Sequence, residues 1–72
     1  MQIVFTEHAL ERLVRRGVQV REVDKCVREG RKRAAAGGRI CYELMFDNER
    51  ELNAIGQQEG SIFRAITVFW RD

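Results

Sequence analysis

The chain has no proline and no long apolar run, and its 72 residues include one histidine and two cysteines. No linker, internal repeat or low-complexity tract divides it. A chain of this length buries only about 60% of the surface that its unfolded form exposes, so it cannot be split further. Residues 1–72 are therefore predicted to form a single domain. Because the core must be small, we expect any site to be a shallow cleft or surface.

The composition excludes two broad classes of protein. A content of 44% hydrophobic and 33% charged residues is typical of a globular protein and not of a disordered or membrane chain. Residues 1–5 are too short for an apolar export segment, and Glu7 and His8 follow them closely. We therefore expect a cytoplasmic protein that has no membrane partner.

The two cysteines, Cys26 and Cys41, do not form a CxxC pair. A zinc site built from cysteine and histidine would need a fourth ligand that the sequence does not clearly offer. In a reducing compartment, both side chains are expected to be buried free thiols. The sequence thus predicts no metal site and no cofactor.

The basic residues are strongly biased in type. The net charge of +2 is too small to indicate a partner, but eleven of the thirteen basic residues are arginine. The planar guanidinium group suits phosphate and carboxylate, so this bias fits either an anion-binding surface or an ion-paired one. Thermal adaptation or a GC-rich genome explains it equally well.

The first half of the chain predicts a strand and two helices. Residues 2–5 form a short β-branched and aromatic run, and Thr6 is a good N-cap for a helix over residues 7–16. Gly17 is placed to end that helix, and a second helix is predicted over about 21–29. The apolar face of the first helix is expected to contain Leu10, Leu13 and Val14.

The second half predicts strands separated by turns. Residues 39–46 alternate in polarity, residues 51–56 form a weaker strand, and residues 61–70 form a strong one. Turns are expected at 37–38, 47–50 and 57–60. The predicted fold class is α+β with the order β-α-α-β-β-β. Two N-terminal helices would pack on one face of a three- to four-stranded antiparallel sheet, with the opening strand paired to a later one.

The polar face of the first helix is a candidate site. His8, Arg12 and Arg15 lie three or four residues apart and so share the side opposite the predicted apolar face. The first-turn position of His8, near the positive end of the helix dipole, favours a neutral imidazole that suits a general base. The alternative is a solvated polar face without a function.

Other basic and aromatic residues give weaker signals. The cluster after the second helix is one wall of a phosphate-binding groove or a charged guard on an exposed sheet edge. Tyr42 is in register with apolar neighbours and is expected in the core, with its hydroxyl within reach of the surface. Arg64 interrupts an apolar strand face, either near water or beside a charge partner. The cluster consists of Arg28, Arg31, Lys32 and Arg33.

Several short segments resemble a known family. The segments are FTEHALER at 5–12, RRGV at 15–18, GRICY at 38–42 and ITVFW at 66–70. Together they are similar to domain-of-unknown-function family 4258, whose small members open with an FTxHAxxR…RG segment. The likeness spans nearly the whole chain, and its opening is the specific part.

The resemblance carries expectations about fold and activity. That family is thought to resemble the RelE-like and barnase-like ribonuclease fold, in which toxins cleave RNA without a metal. Such chemistry needs a base, an acid and cations that stabilise the phosphate. His8, Arg12, Arg16 and Tyr42 match the polar positions of the family, although the chain offers no second obvious acid or base.

Two functional hypotheses follow. The first is a toxin-related domain that binds RNA and acts as a metal-independent endoribonuclease. The second is a non-catalytic module whose arginine-rich surface meets an acidic, antitoxin-like protein partner or a second copy in a homodimer. In the first hypothesis, the catalytic residues are His8, Arg12 and Tyr42, and the phosphate-binding residues are Arg15, Arg16, Arg39 and Arg64.

Overall fold

The structure is a computed structural model that describes residues 1–47 and 49–71. It has an α+β fold in which a strand and two helices precede the other strands, as the sequence predicts. The elements are β1 (Gln2–Phe5), α1 (Glu7–Arg16), α2 (Val20–Glu29), β2 (Arg31–Ala35), a 3-10 turn (Ala36–Gly38), β3 (Arg39–Met45), β4 (Glu51–Glu59) and β5 (Ile62–Arg71).

The sheet differs from the predicted one in size and in direction. It has five strands in the order β1-β5-β4-β3-β2, and β1 runs parallel to β5 while the other pairs are antiparallel. The expectation of a three- to four-stranded antiparallel sheet is therefore wrong. The connection between the parallel strands β1 and β5 contains both helices and the strands β2, β3 and β4. The additional strand, β2, is a highly charged edge strand whose side chains reach water.

The pairing of β4 with β5 corrects two further predictions. Residues 57–59, expected in a turn, continue β4 and pair with residues 62–64. A bulge between Ile55 and Gly56 shifts the register opposite Ile66. This shift breaks the alternation along β5, because one extra residue moves the side chains that follow it to the other face. Arg64 and Val68, expected on one face, thus lie on opposite faces of the sheet.

Local capping explains where the helices begin and end. The Thr6 hydroxyl accepts a hydrogen bond of 3.1 Å from the backbone N–H of Ala9 at the start of α1. Gly17 ends that helix in the left-handed conformation, with φ of 61°. A capping box formed by Gln19 and Glu22 starts α2 one residue earlier than predicted.

The buried side of α1 is only partly the predicted one. Ala9 and Leu13 are buried, whereas Leu10 is 48% exposed and Val14 is 84% exposed. The expectation that Leu10 and Val14 face the core is wrong. The sheet covers one narrow stripe of α1, and no further element of the described residues covers the flank that carries these two side chains.

One hydrophobic core joins both helices to one face of the sheet. The opposite face carries no helix among the described residues, and we call it the helix-free face. Cys41, Glu43 and Asn53 are buried there at alternate strand positions. No helix in the described part of the chain is long and apolar enough to cross a membrane. The buried core residues are Ala9, Leu13, Val18, Val23, Cys26, Val27, Tyr42, Leu52, Ala54, Phe63, Ala65 and Val68.

Candidate nucleic-acid interface

His8 and Arg12 contact each other on the outer surface of α1. The Nε of Arg12 donates a hydrogen bond of 3.2 Å to Nε2 of His8. Nε2 accepts this bond through its lone pair, and a general base needs that lone pair. His8 is exposed and Arg12 is half-buried. The pair predicted from helical spacing therefore exists, but the basic nitrogen of His8 already has a donor.

Tyr42 lies in the core rather than in a cleft. Its side chain is on the helix-facing side of β3, the residue is 4% exposed, and its ring meets Phe63 edge-on at a centroid distance of 5.0 Å. The hydroxyl donates to Oε1 of Gln58 at 3.2 Å. Within residues 1–47 and 49–71, no hydrogen bond links Tyr42 to His8 or Arg12. The three predicted catalytic residues are thus not assembled into one hydrogen-bonded group.

Arg39 and Arg64 both lie on the helix-free face. Arg64 forms a forked ion pair with Glu59, with Nη2 to Oε1 at 3.1 Å and Nε to Oε2 at 3.3 Å. This carboxylate raises the pKa of Arg64. Arg39 is exposed at the start of β3, two strands away from β5. Arg64 therefore has the charge partner that its position in an apolar strand suggested.

Arg15 and Arg16 end α1, and they have different surroundings. Arg15 is exposed. Arg16 donates from Nη1 to the carbonyl oxygen of Val68 at 2.9 Å, and its guanidinium carbon lies 6.0 Å from the centre of the Phe69 ring. Because β1 pairs only with residues 62–65 of β5, the rest of this strand has an open edge. Arg16 closes that edge at one point.

An open groove of about 570 Å³ lies beside this contact, lined by Arg16, Arg50, Phe69 and Trp70. We call it the edge groove. The guanidinium of Arg50 lies over the Trp70 ring, 4.6 Å from its centre. Trp70 packs against the core by an edge-on contact with Phe46 at 5.6 Å. Two cations and two aromatic rings are thus brought together at the C-terminal end of β5.

Of these four residues, only Arg16 is among the site residues that the sequence predicts. Arg50 lies in the predicted turn over residues 47–50, and Trp70 belongs to the segment ITVFW, one of those that carry the family resemblance. The neighbours Phe69 and Trp70 point to opposite faces of the sheet, so they meet one groove only where the strand edge is open. The available signal was the pair of adjacent aromatic residues at the end of the last strand.

A second charged cluster ties β2 to β3 on the helix-free face. The carboxylate of Glu43 accepts from Nη2 of Arg31 at 3.3 Å and from Nε of Arg33 at 2.7 Å. The Arg33 hydrogen bond is the main cause that lowers the pKa of Glu43. The Glu43 side chain is 6% exposed, so its charge is compensated by these two arginines. Arg31, Lys32 and Arg33 of the predicted basic cluster thus lie on an edge strand, whereas Arg28 lies in α2.

The cysteines are buried free thiols, as predicted. Burial raises the pKa of Cys26 to about 12, and its thiol donates to the carbonyl oxygens of Tyr42 and Leu52. Burial also raises the pKa of Cys41, which lies on the helix-free face. Neither thiol is poised as a nucleophile at neutral pH. The described residues contain no group of three or more His, Cys, Asp or Glu placed to hold a metal ion.

A second cleft, of about 430 Å³, lies between β1 and α2. Its surface is more apolar than that of the edge groove, and the exposed side chains of Met1 and Val20 contribute to it. Arg28 crosses its rim, donating from Nη2 to the carbonyl oxygen of Met1 at 3.3 Å and from Nε to the Asp24 carboxylate. Among the described residues, this cleft is lined by one aromatic ring, Phe5, and one arginine, Arg28, and that arginine is paired with Asp24.

Comparisons with protein-family models, with curated proteins and with solved structures give no match to this chain. Its likeness to domain-of-unknown-function family 4258, and through it to RelE-like ribonucleases, therefore stays a prediction that rests on the residues.

Proposed function

We propose that this chain is an RNA-binding domain that contacts RNA through the edge groove and the arginines of α1 beside it. The observation that carries the proposal is the placement of two guanidinium groups over two aromatic rings in one open groove. Proteins that bind single-stranded nucleic acid combine cations for the phosphates with rings on which bases stack. The edge groove offers both within one short stretch of surface.

The charge around the groove supports the same proposal. Within the described ranges 1–47 and 49–71, the side chains that line the groove are two arginines and two aromatic residues. In the described part of the chain, Arg12, Arg15 and Arg16 form no ion pair with a carboxylate. Most of the other arginines that form a polar contact with a side chain there contact a carboxylate. Guanidinium groups without an internal counter-charge are available to phosphate oxygens. Examples of arginines that pair with a carboxylate are Arg28, Arg31, Arg33, Arg64 and Arg71.

The proposal concerns binding, and cleavage of RNA stays a prediction. A metal-independent ribonuclease needs a base and an acid that reach the same phosphodiester. His8 receives a hydrogen bond from Arg12, and Tyr42 is buried and bonded to Gln58. These contacts favour a binding role for the arginines of α1 over a catalytic role for His8.

Fluorescence anisotropy with a labelled single-stranded oligoribonucleotide tests the proposal. We expect binding at low salt that weakens linearly in a plot of log affinity against log salt concentration, because counterions are released from the phosphates. Arg16→Ala should weaken binding by about tenfold. Arg28→Ala removes the same charge beside the other cleft and should leave the affinity nearly unchanged. Absence of binding at low salt, or an equal loss in both variants, would overturn the proposal.

A second candidate function is a protein-interaction module, and one observation favours it. Leu10 and Val14 lie one turn apart on the uncovered flank of α1, where they are 48% and 84% exposed. Apolar side chains exposed next to each other mark contact sites more often than single ones do. If this flank binds a second copy, the mass measured by light scattering will rise with concentration, and Val14→Ser will return it to the monomer value.

A further inference from the structure

We infer that the edge groove takes one unstacked nucleotide of a single-stranded RNA, with its base stacked on Arg50 and its phosphate on Arg16. The inference rests on the proposed function and specifies its ligand. The base is assigned to the half of the groove that contains Arg50, and the phosphate to the half that contains Arg16, because the two arginines have different surroundings.

The Arg50 half suits a base. Its guanidinium lies over the indole of Trp70 at 4.6 Å, and Phe46 supports that indole edge-on from the core. A guanidinium is planar and has two faces, so one face can lie on the indole while the other receives a flat ring. A base placed there would complete a stack of base, guanidinium and indole that is anchored in the core.

The Arg16 half suits a phosphate. One of its N–H groups is committed to the carbonyl oxygen of Val68, which fixes the guanidinium against the strand edge. The remaining N–H donors of an arginine in this position point away from that bond and satisfy no carboxylate in residues 1–47 and 49–71. Because the side chain is already held, less side-chain freedom is lost when it binds an anion.

The shape of the groove selects an unpaired strand. Phe69 and Trp70 are adjacent, and their rings leave opposite faces of the sheet, so the groove bends around the edge of β5. In a duplex the base faces are stacked inside the helix, where no side chain of this groove can reach them. An unpaired base is free to leave the stack and lie on Arg50.

The lining also predicts tolerance of sequence. Among residues 1–47 and 49–71, the groove is lined by arginine and aromatic side chains and by no Asn, Gln, Asp or Glu. Amide and carboxylate groups are needed to distinguish adenine and cytosine by their hydrogen-bonding edges, whereas stacking accepts every base. We therefore expect oligonucleotides of different single-base composition to bind with similar affinity.

The protein carries its own reporter, because Trp70 is its only tryptophan. The intrinsic fluorescence of the whole chain is followed while a single-stranded oligoribonucleotide, the same sequence as a duplex, or inorganic phosphate is added. We expect saturable quenching by the single strand at a concentration about tenfold lower than by the duplex. Inorganic phosphate alone should change the fluorescence little, since it cannot stack.

The variant Arg50→Lys keeps the charge and removes the planar stacking group. It should lower the affinity for the single strand by about tenfold, and Arg28→Lys, the same change beside the other cleft, should leave it unchanged. Thermal unfolding of each variant shows whether it is folded. If Arg50→Lys is not folded, Phe69→Leu replaces it and should weaken binding in the same direction.

The outcomes separate this inference from the proposed function. Binding detected by anisotropy without a change in Trp70 fluorescence, or equal affinity for single strand and duplex, overturns the inference and leaves RNA binding elsewhere on the arginine surface. An Arg50→Lys variant that binds like the wild type also overturns it. Absence of any RNA binding at low salt overturns both.

Discussion

Arg16 at the end of α1 donates a hydrogen bond of 2.9 Å to the carbonyl oxygen of Val68, at a point where no strand of the described residues pairs with β5 on that side. The four-residue β1 pairs with β5 only as far as Ala65. The arginine therefore takes the place of a missing strand, and the same guanidinium lines the edge groove. This contact joins the stability of the fold to the proposed RNA site.

The Arg16 contact predicts a measurable loss of stability. Arg16→Ala removes one hydrogen bond to a partly buried carbonyl, which costs about 1 kcal/mol in the free energy of unfolding. Arg15→Ala, the neighbouring substitution on the exposed side, should change it by less than about 0.5 kcal/mol. Urea denaturation followed by far-UV circular dichroism measures both. Equal midpoints for the two variants would show that the contact with Val68 does not hold α1 on the sheet.

Glu43 predicts a pH-dependent difference between the wild type and Glu43→Gln. The pKa of this carboxyl is below its ordinary value of 4.5 because Arg33 and Arg31 donate hydrogen bonds to it. A lowered pKa in the folded state gives stability that is present above the ordinary pKa and is lost as the pH falls through the folded value. The wild type should therefore be more stable than Glu43→Gln at pH 7.

The pH dependence itself provides the control. Urea midpoints of both proteins are compared at pH 7 and at several values below 4.5, and the difference should shrink as the wild-type carboxyl becomes protonated. A difference that stays constant down to acidic pH would mean that the pairing of Glu43 with the β2 arginines does not stabilise the fold.

Because Cys26 is buried, we expect its thiol to react slowly with thiol reagents and the fold to lose stability at high pH. Burial is the main cause that raises the pKa of Cys26 to about 12 from 9.0. A raised folded-state pKa gives stability that is complete below the unfolded value and is lost as the pH rises through the folded value, so unfolding should become easier between pH 9 and 12. A thiol reagent at pH 8 should label Cys26 only after denaturant is added. Rapid labelling of the native protein would contradict the buried position.

We expect a substitution at Gly56 to lower the stability of the fold more than most single substitutions do. Gly56 sits at the bulge in β4, where an added Cβ would collide with the backbone carbonyl of Arg64, which cannot move without breaking the β4–β5 pair. Gly56→Ala should lower the free energy of unfolding by about 3 kcal/mol or more. Gly37→Ala is the matched control, since a Cβ there meets no atom and only the positive φ costs about 1 kcal/mol. Similar thermal midpoints for the two variants would contradict the packing at the bulge.

The parts of the fold that sequence predicts are those with local chemical signals. Thr6 and Gly17 give the bounds of α1 because capping depends on neighbouring residues alone. For β2 the sequence leaves two alternatives, a wall of a phosphate-binding groove or a charged sheet edge, because the stability of Arg31 and Arg33 in a strand depends on Glu43 of β3. That partner is distant in sequence, so no local pattern reveals the pairing.

In the candidate site, too, the sequence predicts the features that depend on neighbouring residues and not those that depend on tertiary packing. The His8 and Arg12 contact follows from helical spacing and was expected. The edge groove depends on where β1 ends beside β5 and on which residue of a turn reaches Trp70, and neither follows from periodicity. The exposure of Val14 likewise depends on how much of α1 the sheet covers. Tertiary coverage, not local propensity, decides which side chains become a surface.

The most direct measurement of the central claim is the intrinsic fluorescence of Trp70 during titration with a single-stranded oligoribonucleotide at low salt. RNA binding in the edge groove predicts a saturable fluorescence change, with an affinity that weakens as salt is added and that is about tenfold lower in Arg50→Lys. A folded protein whose Trp70 fluorescence does not respond to RNA at any concentration tested would contradict it.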